Sequence, residues 1–211
     1  MKNIKFQKSE ILKTLSDFKT SFIIPKFIDI YYHEFLKKNF LKKITQNLNS
    51  EFLVIRSSSE DEDGINISNA GKYESILNVG INDDFLIADS IKRVFDSYDN
   101  INENSRVLVQ EMIVKPEISG VTFTHELETG SPYFVINYDD ISKKTDTVTG
   151  GSGINSNKSV YVFRNSFKVM RSNRFKNLLI SINEIEKLLN FKYLDIEFAI
   201  DNRENIYIFQ V

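Results

Sequence analysis

The strongest constraint on the fold lies near the C-terminal end. Tyr193-Leu-Asp-Ile-Glu-Phe-Ala-Ile200 alternates in hydropathy, Asp201-Asn-Arg-Glu-Asn205 supplies turn-forming side chains, and Ile206-Tyr-Ile-Phe-Gln210 alternates again. A period of two on both sides of a turn is the pattern of a β-hairpin with one face buried. If Asp201 pairs with Ile206, Glu197 falls opposite Gln210, with Cβ atoms about 5 Å apart on one face. An acid facing an amide across two strands reads as an ordinary cross-strand hydrogen bond. It reads equally as two hard oxygen ligands for Mg²⁺, when a polyphosphate supplies the remaining oxygens.

Composition narrows what surrounds such a hairpin. With 211 residues, of which 41% are hydrophobic, the chain can bury the core of one globular domain or of two small lobes. Its 27 Lys plus Arg against 29 Asp plus Glu give a net charge of -2, without the basic excess that phosphate-backbone binding leaves in a sequence, so no nucleic-acid partner is expected. The cysteine count is 0, which excludes a disulfide framework, a thiolate metal site and a cysteine nucleophile, and suits a reducing cytoplasm. The basic N-terminal residues have no apolar run behind them, so secretion is not expected. No stretch approaches the roughly 20 apolar residues of a membrane span, and no membrane partner is expected. His33 and His125 have no metal-binding spacing, and His33 reads as a helix-surface residue.

Periodicity organises the rest of the chain. Ile11, Leu12, Leu15 and Phe18 predict a helix over Ser9 to Phe18 with Ser9 as its N-cap, and Ile23-Ile24-Pro25 reads as a strand broken by proline. Tyr31, Phe35, Ile44 and Leu48 predict a helical region from Ile30 to Leu48. Glu51 to Arg56 reads as a strand, Asp84 to Tyr98 as a helix burying Phe85, Ile87, Ala88, Ile91, Val94 and Phe95, and Arg106 to Val114 as a buried strand. Strands Gly120 to Thr124 and Tyr133 to Tyr138 flank Glu128-Thr-Gly-Ser131, which predicts a hairpin; Gly150-Gly-Ser-Gly153 reads as a loop, Ser159 to Arg164 as a strand and Asn183 to Leu189 as a short helix.

Chemistry enters at Arg56, where an apolar strand runs into Ser57-Ser-Ser-Glu-Asp-Glu-Asp-Gly64. A strand-to-loop junction is where α/β proteins often put phosphate-binding groups, and the plain alternative is a surface arginine paired with Glu60 or Asp61. The run Glu60 to Asp63 reads as a solvated loop. In Ser68-Asn-Ala-Gly71-Lys-Tyr-Glu-Ser75, small residues and Gly71 allow backbone N–H groups to approach phosphates, with Lys72 and Ser75 as supplements.

Taken in order, Val54-Ile-Arg-Ser-Ser58, Asn69-Ala-Gly-Lys-Tyr-Glu-Ser-Ile-Leu-Asn-Val79, Val109-Gln-Glu-Met112, Ser119-Gly-Val-Thr-Phe-Thr124, Thr129-Gly130 and Leu194-Asp-Ile-Glu-Phe-Ala-Ile-Asp201 with Ile206 to Gln210 resemble the nucleotide-binding domain of the phosphoenolpyruvate synthase and pyruvate phosphate dikinase family. The likeness runs over essentially the whole chain. Gln7 to Leu15 and Ile24-Pro-Lys-Phe27 are similar to a degraded form of the family's glycine-rich helix start and proline turn, so that Lys8 matches its phosphate lysine. Thr129 to Asp140 and Lys144 to Gly150 resemble the branch found with capsule and surface-polysaccharide biosynthesis, which includes an L-glutamine kinase.

The resemblance implies an α+β, ATP-grasp-like fold whose two lobes, roughly 1–108 and 109–211, clasp Mg·ATP. It implies that Arg56 and Lys8 contact the transferring phosphates, that Gly71, Lys72 and Ser75 line the phosphate loop, and that Gln110, Glu111, Met112 and Ile113 form a strand edge at the adenine. Glu197 and Gln210 are the implied Mg²⁺ ligands. The implied activity is phosphoryl donation to a histidine on a swivelling partner domain, in cis or in trans, with a small-molecule acceptor bound by a further domain; neither domain's motif is present. The family also carries an arginine shortly after the residue matching Gln210, whereas this chain stops at Val211 and reads as cut short or split. A non-catalytic ATP-binding or interaction module is the alternative expectation.

Overall fold

The computed structural model describes residues 8–58, 74–145 and 158–211. The chain divides into two compact units, one made of Met1–Ile11 with Pro25–Met112 and the other of Leu12–Ile24 with Ile113–Val211. Helix α1 (Lys8–Ser16) contributes residues to both.

In the first unit, strands β1 (Phe27–Tyr31), β2 (Phe52–Ser57), β3 (Ser75–Gly80) and β4 (Arg106–Glu111) form an antiparallel sheet in the order β1-β4-β2-β3. Alternation assigns its two faces. Ile30, Leu53, Ile55, Val107 and Val109 point into a core shared with helices α3 (Phe40–Asn47) and α4 (Asp84–Asp96). Asp29, Arg56, Arg106, Leu108 and Gln110 have the opposite parity, and all are buried.

The expected helical region from Ile30 to Leu48 is instead β1, a short helix α2 (Tyr32–Leu36) and α3. Phe27-Ile-Asp-Ile-Tyr31 pairs with β4 along its length, which outweighs the helical spacing of Tyr31 and Phe35. Lys38 at φ 55 then breaks the helix. In α4, Asp83 accepts a hydrogen bond from the Leu86 amide as N-cap. The buried stripe is Ile87, Ile91, Val94 and Phe95, whereas Phe85, expected inside, is 82% exposed in the first turn.

The second unit is built on a five-stranded antiparallel sheet. Strands β5 (Ile118–Phe123), β6 (Tyr133–Asp139), β7 (Lys158–Phe163), β8 (Asp195–Ile200) and β9 (Ile206–Gln210) run in the order β7-β6-β5-β8-β9. The expected hairpin of β5 and β6 is present. Ile23 forms a bridge to Tyr207 on the outer side of β9, in place of a strand before Pro25. Helix α5 (Asn173–Leu189) starts well before the expected Asn183, because Leu178, Leu179 and Ile182 carry the stripe of Ile185 one further stretch and Ser172 caps it. It meets the sheet face of Phe134 and Ile136 through an edge-to-face contact of Phe175 with Tyr138.

Among the described residues, no helix is long and apolar enough to cross a membrane.

Candidate functional site

In the first unit the polar face of the sheet is the chemically loaded one. Arg56, at 8% exposure, is the penultimate residue of β2, between Leu108 of β4 and Ser75 of β3. Arg106, at 5% exposure, lies on β4 beside Tyr31 of β1. Its guanidinium reaches Glu10 at 2.8 Å and Asp29 at 3.5 Å, and donates to the Tyr31 hydroxyl at 3.4 Å. Burial works against that charge, but Asp29, Glu10 and Tyr31 more than offset it and hold Arg106 protonated even more firmly than an ordinary arginine.

The first turn of α1 is fastened to the end of β2. The Ser9 amide, one of the N–H groups that a helix start leaves without an intrahelical acceptor, donates to Ser58 Oγ at 3.4 Å, and the Ser58 hydroxyl donates to Ser9 Oγ at 3.2 Å. Ser9 is therefore inside the helix and not its N-cap, with Lys8 as the first described residue of that turn. Tyr98 secures the other side of the junction, accepting from the Ser58 amide at 2.9 Å and donating to the Arg106 carbonyl at 2.7 Å. The turn carrying Lys8 and the strand end carrying Arg56 are thus joined by direct hydrogen bonds.

Gln110 and Glu111 stand side by side near the end of β4. They lie on an inner strand, flanked by β1 and β2. What Gln110 offers is its side chain: at 1% exposure, its Nε2 has no hydrogen-bond partner among the described residues. A buried amide with unmet donors is costly, which marks the place as one suited to a ligand acceptor. The Glu111 carboxylate is occupied by the Asn49 amide at 2.7 Å, and the Met112 amide donates to the Phe52 carbonyl at 3.0 Å. Ile113 begins the segment assigned to the second unit. Ser75 is exposed at the start of β3. Gly71, Lys72, the run Glu60 to Asp63 and the loop Gly150 to Gly153 lie outside the described residues.

In the second unit Glu197 and Gln210 are directly paired and both half-buried. The register that pairs them differs from the simple hairpin. Ile200 pairs with Ile206 and Phe198 with Ile208, and an irregularity at Phe209 then shifts the ladder by one to set Glu197 against Gln210. Among the described residues no group of three or more His, Asp or Glu side chains is arranged to hold a metal. The pair fits Mg²⁺ as magnesium is bound at phosphate-transfer sites, with one carboxylate and one amide oxygen from the protein and the rest from phosphate and water.

Solved structures share this architecture. The D-alanine-D-alanine ligase from Coxiella burnetii is similar over 98% of this chain and 47% of its own, at TM-score 0.55 and 9% identity. The VanG D-Ala:D-Ser ligase from Enterococcus faecalis is similar over 98% and 52%, at TM-score 0.54 and 15% identity. The D-alanine-D-alanine ligase from Bacillus anthracis complexed with ATP gives 97% and 54%, at TM-score 0.52 and 15% identity. The chain has the ATP-grasp fold. It spans about half the length of these ATP-grasp structures, and at such identities the likeness is one of fold. In sequence, residues 9–103 match the family model described as pyruvate phosphate dikinase, AMP/ATP-binding domain. No curated protein matches the sequence.

Sequence reasoning missed Arg106, Asp29, Glu10 and Tyr98 as parts of this arrangement. Arg106-Val-Leu-Val-Gln110 and Phe27-Ile-Asp-Ile-Tyr31 do not alternate in hydropathy, and it is the strand pairing that sets Arg106 and Gln110 on one face with Phe27, Asp29 and Tyr31. His33, read as a helix-surface residue, is exposed on α2 with Nδ1 3.1 Å from the Glu103 carbonyl.

Proposed function

We propose that the chain is the Mg·ATP-binding, phosphoryl-donating domain of a dikinase-type phosphotransferase, acting in the cytoplasm on a histidine of a partner domain. The observation that carries this reading is the match of residues 9–103 to the dikinase AMP/ATP-binding model, in a chain with the ATP-grasp fold. Phosphoryl transfer asks little covalent chemistry of the protein and much positioned positive charge. Arg56 and Lys8 supply that charge from two hydrogen-bonded elements, with Gly71, Lys72 and Ser75 lining the phosphate loop. Gln110 offers its buried amide to the nucleotide, followed by Glu111, Met112 and Ile113. Glu197 and Gln210 hold Mg²⁺, which when bound neutralises developing charge on the phosphate oxygens. The partner's imidazole nitrogen attacks phosphorus in line, forming an N–P bond as the O–P bond to the nucleotide breaks.

The final acceptor belongs to another domain. The likeness of Thr129 to Asp140 and Lys144 to Gly150 to the capsule-associated branch favours the L-glutamine amide over pyruvate.

The test is transfer of labelled phosphate from Mg·ATP to an added dikinase-type histidine domain, read as acid-labile, base-stable label. The wild-type chain is expected to label it, and Arg56→Ala to reduce the rate by about 10²-fold or more with the far-UV spectrum unchanged. Equal labelling by the variant removes Arg56 from the mechanism. Binding of Mg·ATP without transfer to any histidine domain makes the chain a nucleotide-binding module instead.

A further inference from the structure

The sheet of the second unit carries an unbroken cross-strand row through all five strands. Gln210 pairs with Glu197, Glu197 with Val121, Val121 with Asn137, and Asn137 with Ser159. Directly opposed residues in antiparallel strands share a face, so Asn137 and Ser159 lie on the face of Glu197, separated from it only by Val121. With strands about 4.8 Å apart, Asn137 stands about 10 Å from Glu197 along the row.

Asn137 is held in a definite orientation. Ser159 Oγ donates to Asn137 Oδ1 at 2.7 Å, which engages the amide oxygen and leaves the Nδ2 group with its two donors. No acceptor for Nδ2 lies among the described residues, and Asn137 is half-buried, so those donors remain within reach of a ligand. The backbone is fixed as well. A Cβ on Gly120 would lie 2.0 Å from the Asn137 carbonyl oxygen, so only glycine at position 120 lets β6 approach this closely.

We propose that Asn137, oriented by Ser159, donates a hydrogen bond to the phosphate chain of the nucleotide whose metal is held at Glu197 and Gln210. This rests on the function proposed above and adds a phosphate-binding residue to that site. The chemistry follows from position and polarity. An amide whose oxygen is already engaged offers two unmet donors, and the ligand group that accepts from donors near a metal-binding carboxylate is an anionic oxygen. A phosphate chain anchored at the metal by one end crosses the apolar Val121 and lays its other oxygens toward Asn137. An ordinary cross-strand Asn–Ser contact, by contrast, contributes to sheet stability alone.

The experiment compares wild type, Asn137→Ala, Asn137→Asp and Ser159→Ala by isothermal titration with Mg·ATP and with AMP, alongside thermal unfolding of each. Wild type is expected to bind Mg·ATP. Asn137→Ala should weaken that binding about tenfold, the worth of a hydrogen bond to a charged group. Asn137→Asp, which sets a carboxylate against phosphate, should weaken it further, and Ser159→Ala should weaken it less than either; AMP, without the distal phosphates, should bind all four alike. Unchanged ATP affinity in both Asn137 variants overturns the proposal and leaves the functional reading standing. Equal loss of ATP and AMP also overturns it, assigning Asn137 to sheet structure. Failure of the wild type to bind Mg·ATP overturns both readings.

Discussion

Among single side chains of the first sheet, Arg106 is a buried cation held by its partners. A guanidinium buried to this degree is tolerated only because carboxylates on two elements face it: Asp29, itself buried, from β1 and Glu10 from α1. Removing one partner of a buried pair leaves the other charge in a poor solvent, a larger loss than the pair's own net worth. Asp29→Ala is therefore expected to lower unfolding free energy by about 3 kcal/mol in a urea titration, whereas a change within error would show that Glu10 and Tyr31 satisfy Arg106 without it. The place of Arg56 near the end of β2 was legible from sequence because it ends an apolar strand just before a serine-rich turn. Arg106 was not, because it opens its strand and reads as a boundary residue until β1 is known to supply Asp29. Gln110 was named for its place in a motif, but its buried, unmet amide is a property of three-dimensional packing.

The hairpin of β8 and β9 shows how an element can be legible while its detail is not. The alternation of Asp195–Ile200 and Ile206–Gln210 is plain in the sequence, and so is the turn between them. The pairing of Glu197 with Gln210 was also anticipated, but on a register one residue out at the turn; the bulge at Phe209 restores it. A bulge leaves no period-two signature of its own, since Phe209 and Ile208 are both apolar. The same weakness explains β1: five residues without a period of their own, joined to a helical run, are decided only by pairing with β4.

The turn is held by Asp201, whose carboxylate accepts from the Arg203 and Asn205 amides at 2.9 Å each, from Asn205 Nδ2 at 2.9 Å and from the Tyr207 hydroxyl at 3.1 Å. Burial acts to raise its pKa, but these hydrogen bonds prevail and hold it below the ordinary 3.8. A depressed folded value means that the ionised carboxylate stabilises the hairpin above the ordinary value, and that this stability is lost as pH falls through the folded one. Asp201→Asn should thus cost about 1 kcal/mol near neutrality, with the gap to wild type closing as pH drops below 3.8. Urea midpoints across pH measure it; a gap independent of pH would exclude the carboxylate's charge as the cause.

For the whole molecule, the fold was legible because the motifs occur in the order of the family they resemble, and motif order is a property of sequence. The composition of the two units was less so. The segment Leu12–Ile24 belongs with the C-terminal unit although it interrupts the first, and it is linked there by the bridge of Ile23 to Tyr207 and by hydrogen bonds of Ser21 to Ser181 and Glu184 of α5, all far away in sequence. Helical spacing in α1 says nothing of which unit each residue joins; that depends on contacts between segments far apart in sequence.

The central claim is that this ATP-grasp chain binds ATP through a magnesium-dependent site, and thermal unfolding with ATP, with and without Mg²⁺, tests it most directly. Ligand at about 100 times its dissociation constant adds about 2.7 kcal/mol, which raises the midpoint of a chain this size by about 5–10 °C. The expected result is a shift of that order with Mg²⁺ and ATP together, much reduced when Mg²⁺ is withheld. No shift at millimolar Mg·ATP, or one indifferent to Mg²⁺, would contradict the claim.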